Sequence, residues 1–181
     1  MTATQASFDP PTDRIELVPQ ARFDLQRRRT NSEHTVLWDI LDNVKDPEIP
    51  VLSIWDLGIL QNVATTKVAG EVTVEVVITP TYSGCPAMQQ ISSDVCTALQ
   101  AAGYPQVNVR QQLHPAWSTD WMTPAAKRQL RNYGVAPPGD TSCPQCGSKD
   151  TSIISEFGST SCKALLRCNT CLEPFDMFKR L

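Results

Sequence analysis

Two C-x-x-C pairs, Cys143 with Cys146 and Cys168 with Cys171, are separated by 21 residues near the C-terminus and limit what this chain can fold into more than any other feature. Each pair forms a tight turn that aims two thiols at one point, and two such turns make a closed tetrahedron of sulfur ligands. The separation is one residue beyond the usual range for paired C-x-x-C sites, an excess that a β-hairpin insert absorbs. Residues 143–181 are therefore expected to fold as a zinc ribbon around one structural zinc ion. Iron in a rubredoxin-like setting uses similar knuckles. A thioredoxin-type redox role needs one C-x-x-C at a helix start in an α/β unit, which this segment does not offer.

The chain of 181 residues has room for one core of roughly 100 residues beside such a module. It has no run of 18 apolar residues, and its first residues lack a basic segment followed by an apolar one, so neither a membrane span nor a secretory signal is expected. Seven cysteines, an odd number, then point to reduced thiols and metal in a cytoplasmic protein rather than to disulfides. Net charge is about +1 over residues 1–32, about −5 over 33–142 and about +1 over 143–181. No strongly basic face supports nucleic-acid binding.

Residues 1–32, rich in Pro, Asp, Gln and Arg and ending in RRR, show neither helical nor strand period and are expected to be a mobile arm, with Ile15, Leu17, Val18 and Phe23 available for docking. Thr30 and Glu33 stand in capping-box spacing before a stripe of Val36, Leu37, Ile40, Leu41 and Val44, which predicts a helix ending before Pro47. VLSIWDLGIL reads as one short strand and the start of another, and EVTVEVVIT completes a hairpin across the turn at Ala69-Gly70. A helix from Pro86 to about Ala102, stopped by Gly103, carries Met88, Ile91, Val95, Leu99 and Ala102 on one face. The alternation of Val107, Val109 and Leu113 marks a third strand, and Thr123 caps a helix over 124–133 closed by Gly134. The order predicts an α+β domain over 33–113, a small mixed sheet with helices on one side, then a helical connector and linker over 114–142 and the ribbon.

Cys85, in YSGCPAM, precedes a proline suited to the first helical position, so it is expected to be the N-cap of that helix. Unpaired N–H groups and the helix dipole there would favour its thiolate, making it a ligand or nucleophile; the alternative is a cysteine that only caps and packs. Cys96, on the same helix, is expected in the core. The loop DPEIP supplies two carboxylates, Asp46 and Glu48, which with a thiolate make a set suited to iron, or which merely end a helix. Cys162 is either a packed thiol of the ribbon hairpin or a second metal-handling thiol. No Walker loop, dinucleotide fingerprint or Ser/His/Asp arrangement occurs, and there is no Glu-x-x-His pair. His34 is expected at the surface and His114 at the end of a strand.

DPEIPVLSIWDLGIL followed by TPTYSGCPAM resembles the small domain of SufT-like iron–sulfur assembly proteins. With WSTDWMTPAAKRQLRNYGVAPP and EFGSTSCKALLRCNTCLEPFDMFK, the chain from about residue 33 resembles the PaaD (PaaJ) family, accessory components encoded with the phenylacetyl-CoA ring epoxidase of aerobic phenylacetate degradation. The resemblance implies a part in building a metallocentre, with a di-iron oxygenase component and a flavin and iron–sulfur reductase as clients. It places functional positions on Asp46 and Glu48 and the cysteine that handles iron or a transient iron–sulfur cluster on Cys85. The family's threonine, four residues before that cysteine, falls on Thr81, while Thr79 sits at the end of the strand. A stoichiometric structural subunit of the oxygenase is the competing reading.

Overall fold

A computed structural model describes residues 19–68 and 70–181; Ile15, Leu17, Val18 and the turn residue Ala69 lie outside them. The framework is a three-stranded sheet of β1 (Leu60–Val68), β2 (Glu71–Ile78) and β3 (Gln106–Gln111) in that spatial order. β1 and β2 form the expected antiparallel hairpin, and β3 runs parallel to β2 after a crossover helix, so the sheet is mixed. Along β2 the side chains of Val74, Val76 and Ile78 are fully buried, while Thr73, Glu75 and Val77 on the other face are only half covered. One face of the sheet therefore carries the core.

That face is covered by the crossover helix α3 (Ala87–Ala101), whose Met88, Ile91, Val95 and Leu99 are buried at helical spacing. Burying each of these side chains contributes roughly 1.5–3 kcal/mol. Gly103 follows the helix at a φ of 93°, the left-handed conformation that stops it. Ala102 is exposed rather than part of the buried face, and Cys96 is half-buried to one side of it, not in the core.

Two expectations near the N-terminus are corrected. Part of the supposed mobile arm is a helix, α1 (Gln20–Thr30), held by Leu25 and by a buried Arg22. Arg22 stacks 3.8 Å over the Trp55 ring and donates to the carbonyls of Trp55 and Trp121, both at 3.2 Å. Burial lowers its pKa to about 10, which still leaves the guanidinium charged. Phe23 does not dock and is exposed. Thr30 belongs to the end of α1, where its hydroxyl donates back to Gln26, so it caps no following helix. The next helix, α2 (Thr35–Leu41), starts after His34, buries Leu37, Trp38 and Leu41, and leaves Val36 exposed. His34 is half-buried beside Thr65, 3.2 Å from its hydroxyl.

The run VLSIWDLGIL is not a strand before Leu60. Leu57 N–H donates to Ser53, Gly58 N–H to Trp55, and Ile59 and Leu60 both donate to Ile54, a set of tight turns with Gly58 at a φ of 70°. Every apolar side chain from Leu52 to Leu60 is buried. A short run buried on all sides has no diagnostic period, and this is why it reads as strand. Strand β3 likewise ends at Gln111, short of the exposed Leu113 and His114.

The connector carries a 3₁₀ turn at Thr119–Trp121 and helix α4 (Pro124–Tyr133), capped by Thr123, whose Oγ1 accepts from Ala126, and closed by Gly134. The segment after α4 is not a free linker. Ala136 donates to Asp176 and accepts from Phe178, which adds it to the edge of the ribbon sheet β4 (Thr151–Ser155), β5 (Lys163–Cys168), β6 (Pro174–Phe178). Phe178 and Cys162 of the ribbon are buried in the same core as Trp38 and Ile91.

Candidate functional site

The ribbon cysteines converge as their spacing requires. The Sγ atoms of Cys143, Cys146, Cys168 and Cys171 all lie within 4.8 Å of one another. Cys143 and Cys171 are 3.7 Å apart, and Cys146 and Cys168 are 3.6 Å apart. Tetrahedral bonds of about 2.3 Å to a central zinc imply sulfur–sulfur edges of about 3.8 Å, which these two pairs match. Each knuckle ends in a left-handed residue, Gly147 at a φ of 74° and Leu172 at 66°. The Cys171 N–H points at the Cys168 sulfur, and this donation draws the Cys168 thiol down to about 6. With all four ligands supplied by protein, such a site stiffens the ribbon and leaves no position for substrate.

A second constellation forms where the ribbon meets the α+β domain. Asp46, Glu48, Thr81, Cys85, Thr160 and Cys162 line one pocket of about 20 Å³, floored by Ile49, Leu57 and Phe178. Asp46 is 7 % exposed and sits in a tight turn, its Oδ1 accepting from Glu48 N–H at 2.9 Å and Ile49 N–H at 2.8 Å. The Asp46 backbone N–H is in turn fixed to Leu52. One carboxylate oxygen thus shapes the loop, and the other has no hydrogen-bond partner among the described residues. Glu48 is exposed at the rim.

Cys85 stands just before Pro86, the residue that occupies the N-cap of α3, one position later than expected. Its thiol pKa is nevertheless raised, chiefly by burial, with Asp46 and Cys162 adding to the effect; the Ala87 N–H at the helix start opposes it without prevailing. The expectation that the helix terminus favours the thiolate is therefore corrected. Burial likewise raises Cys162, against the pull of the Thr160 hydroxyl at 3.0 Å and of the neighbouring Lys163. Asp46 is raised too, its desolvation outweighing the two N–H donors. A buried acid, a half-buried thiol and a buried thiol, all biased toward their neutral forms, would have to give up protons to bind a cation there.

Of the residues expected at the site, Asp46, Glu48, Thr81, Cys85 and Cys162 share the pocket. Thr79 does not line it; it is buried at the end of β2 with its hydroxyl unpartnered. Sequence reasoning missed Tyr82 and Thr160. Both line the pocket, Tyr82 from the α+β loop and Thr160 from the ribbon loop. It missed as well the ion pair of the buried Lys163 with Asp176, 3.2 Å, which sets a cation behind Cys162. Only the odd seventh cysteine hinted that the ribbon contributes here.

Residues 35–110 match the family described as iron-sulfur cluster assembly protein, and residues 131–179 match the PaaD zinc beta ribbon domain. The second match begins inside α4, in keeping with the junction at Ala136. A protein of Escherichia coli (strain K12), provisionally named as the D component of 1,2-phenylacetyl-CoA epoxidase, is 49% identical over 153 residues, covering 79% of this chain and 90% of its own length. Among solved structures, a DUF59 domain from Bacillus anthracis is 31% identical with a TM-score of 0.47, covering 53% of this chain and 89% of that one. A conserved hypothetical protein from Thermotoga maritima is 25% identical with a TM-score of 0.44, covering 55% of this chain and 94% of that one.

Proposed function

Since this chain belongs to the PaaD family of 1,2-phenylacetyl-CoA epoxidase components, we propose that it serves that enzyme system as a cytoplasmic accessory protein. In this reading it delivers iron or an iron–sulfur unit to the oxygenase or its reductase. Cys85 receives the cargo, Asp46 and Glu48 assist, and Thr81 rather than Thr79 lines the path. The four ribbon cysteines hold a structural zinc, whose part is to fix the ribbon.

One observation carries this reading: a buried carboxylate with a free oxygen shares a pocket with the half-buried thiol of Cys85 and the buried thiol of Cys162. Burying the Asp46 carboxyl against its preferred ionisation costs stability, which points to a use for it other than holding the fold. Sulfur and oxygen donors together suit iron.

The test is the metal content of the epoxidase components purified from cells that lack this chain. Components present in normal amount but short of iron or acid-labile sulfide, restored by the parent and not by Cys85→Ser, support the reading. Components with full metal content sink it. Exposed Ile153, Ile154 and Phe157 on the ribbon favour a second reading, a stoichiometric structural subunit. Co-purification at a fixed ratio, undisturbed by Cys85→Ala, distinguishes it.

A further inference from the structure

Cys85 and Cys162 come from two separately matched parts of the chain, yet the fold closes one small pocket around both. Three features shape the pocket where the two loops meet. Tyr82 lines the pocket together with Cys85 and Cys162. The Cys162 carbonyl accepts from Lys179 just beyond β6, and the Lys163 N–H is held by Thr160. Phe178 is buried beneath the same pocket, 5.9 Å from the ring of Trp117.

We propose that Cys162 is the second protein ligand of the Cys85 site, so that a single thiophilic divalent ion, ferrous iron, is held between the ribbon and the α+β domain with Asp46 as the oxygen donor. This rests on the metal-handling reading of Cys85 and adds the ribbon to the site. The enclosed space of about 20 Å³ is that of one water-sized body, which matches a single ion. On binding, each thiol forms one sulfur–iron bond and releases its proton to solvent; no electron is transferred. Lys163, paired to Asp176, supplies a cation that limits the negative charge two thiolates and a carboxylate would otherwise accumulate. Among the described residues, only the ribbon cysteines form a group of three or more such ligands within 4.8 Å of one another.

The experiment uses the full chain loaded with zinc, without oxygen, incubated with ferrous ion in the presence or absence of sulfide. Retained iron, affinity by chelator competition and protons released are measured for the parent, Cys85→Ser, Cys162→Ser and Cys162→Ala. Unchanged zinc content and melting temperature certify that each variant is folded. The parent is expected to retain iron without sulfide and to release about two protons per ion, against about one for either Cys162 variant. Loss of Cys162 should weaken binding at least as much as loss of a supporting contact around a metal, roughly 10–100-fold. Unchanged affinity in both Cys162 variants, with binding lost in Cys85→Ser, overturns the inference and leaves the Cys85 reading standing. Retention only with sulfide overturns the single-ion assignment. Failure of the parent to retain iron under either condition removes the inference and the cargo reading together.

Discussion

Asp46 is a residue whose ionisation works against the fold. Its folded pKa is raised by burial, so the protonated form is the one folding favours. The contribution to stability is present below the unfolded carboxyl pKa and is lost as pH rises through the folded value. Asp46→Asn keeps the amide oxygen that accepts from Glu48 and Ile49 and removes the buried charge. It should be at least as stable as the parent at pH 7, with any advantage shrinking as pH falls, and should retain less iron. Paired denaturation curves at pH 7 and pH 4 check this; a clear loss of stability at pH 7 would show the carboxylate to be structural. The thiol of Cys85 carries a parallel expectation, since its pKa is also raised. Its alkylation should climb with pH through a midpoint above that of an unstructured cysteine, measured by mass spectrometry of the labelled peptide. A midpoint at or below the free-thiol value would contradict the burial argument. The sequence made Cys85 visible through the proline that follows it, but burial, which reverses the sign of its shift, depends on Cys162 and the ribbon and is invisible locally.

Elements were legible where one face is buried at a regular period, as in α3 and β2, and where capping chemistry is local, as at Thr123 and Gly134. They were illegible where the anchor is a charged residue: α1 has no apolar stripe because one leucine and one buried arginine hold it. The turns of 53–58 were hidden by uniform burial. Two glycine-type positions give opposite predictions. At Gly58 a Cβ would lie 2.5 Å from the Cβ of Trp121 in a left-handed backbone, so Gly58→Ala should cost at least about 2 kcal/mol. Leu172 occupies the left-handed position of its knuckle with an exposed side chain, the place Gly147 takes in the other knuckle. Leu172→Gly should be neutral or stabilising by up to about 1 kcal/mol. Thermal unfolding of zinc-loaded protein reads both, and equal effects would refute the backbone argument.

At the scale of the whole molecule, the two sequence families are joined as one packed body. Ala136 extends the ribbon sheet, and Phe178 completes the core beside Trp117, whose indole N–H donates to Leu57 at 3.0 Å. Removing zinc with a strong chelator should therefore change the tryptophan fluorescence and near-ultraviolet dichroism of a domain that contains no zinc ligand. Unchanged tryptophan signals would mean that its seat on the core is independent of the metal. Cys162, carried by that seat, shares a pocket with Cys85. The arrangement also has a consequence in time. At roughly 5–20 residues per second of synthesis, Cys85 emerges several seconds before the ribbon that covers it. Throughout that interval its thiol is more open to oxidants and stray metals than the half-buried thiol of the folded chain, and zinc binding, by folding the ribbon, shortens it.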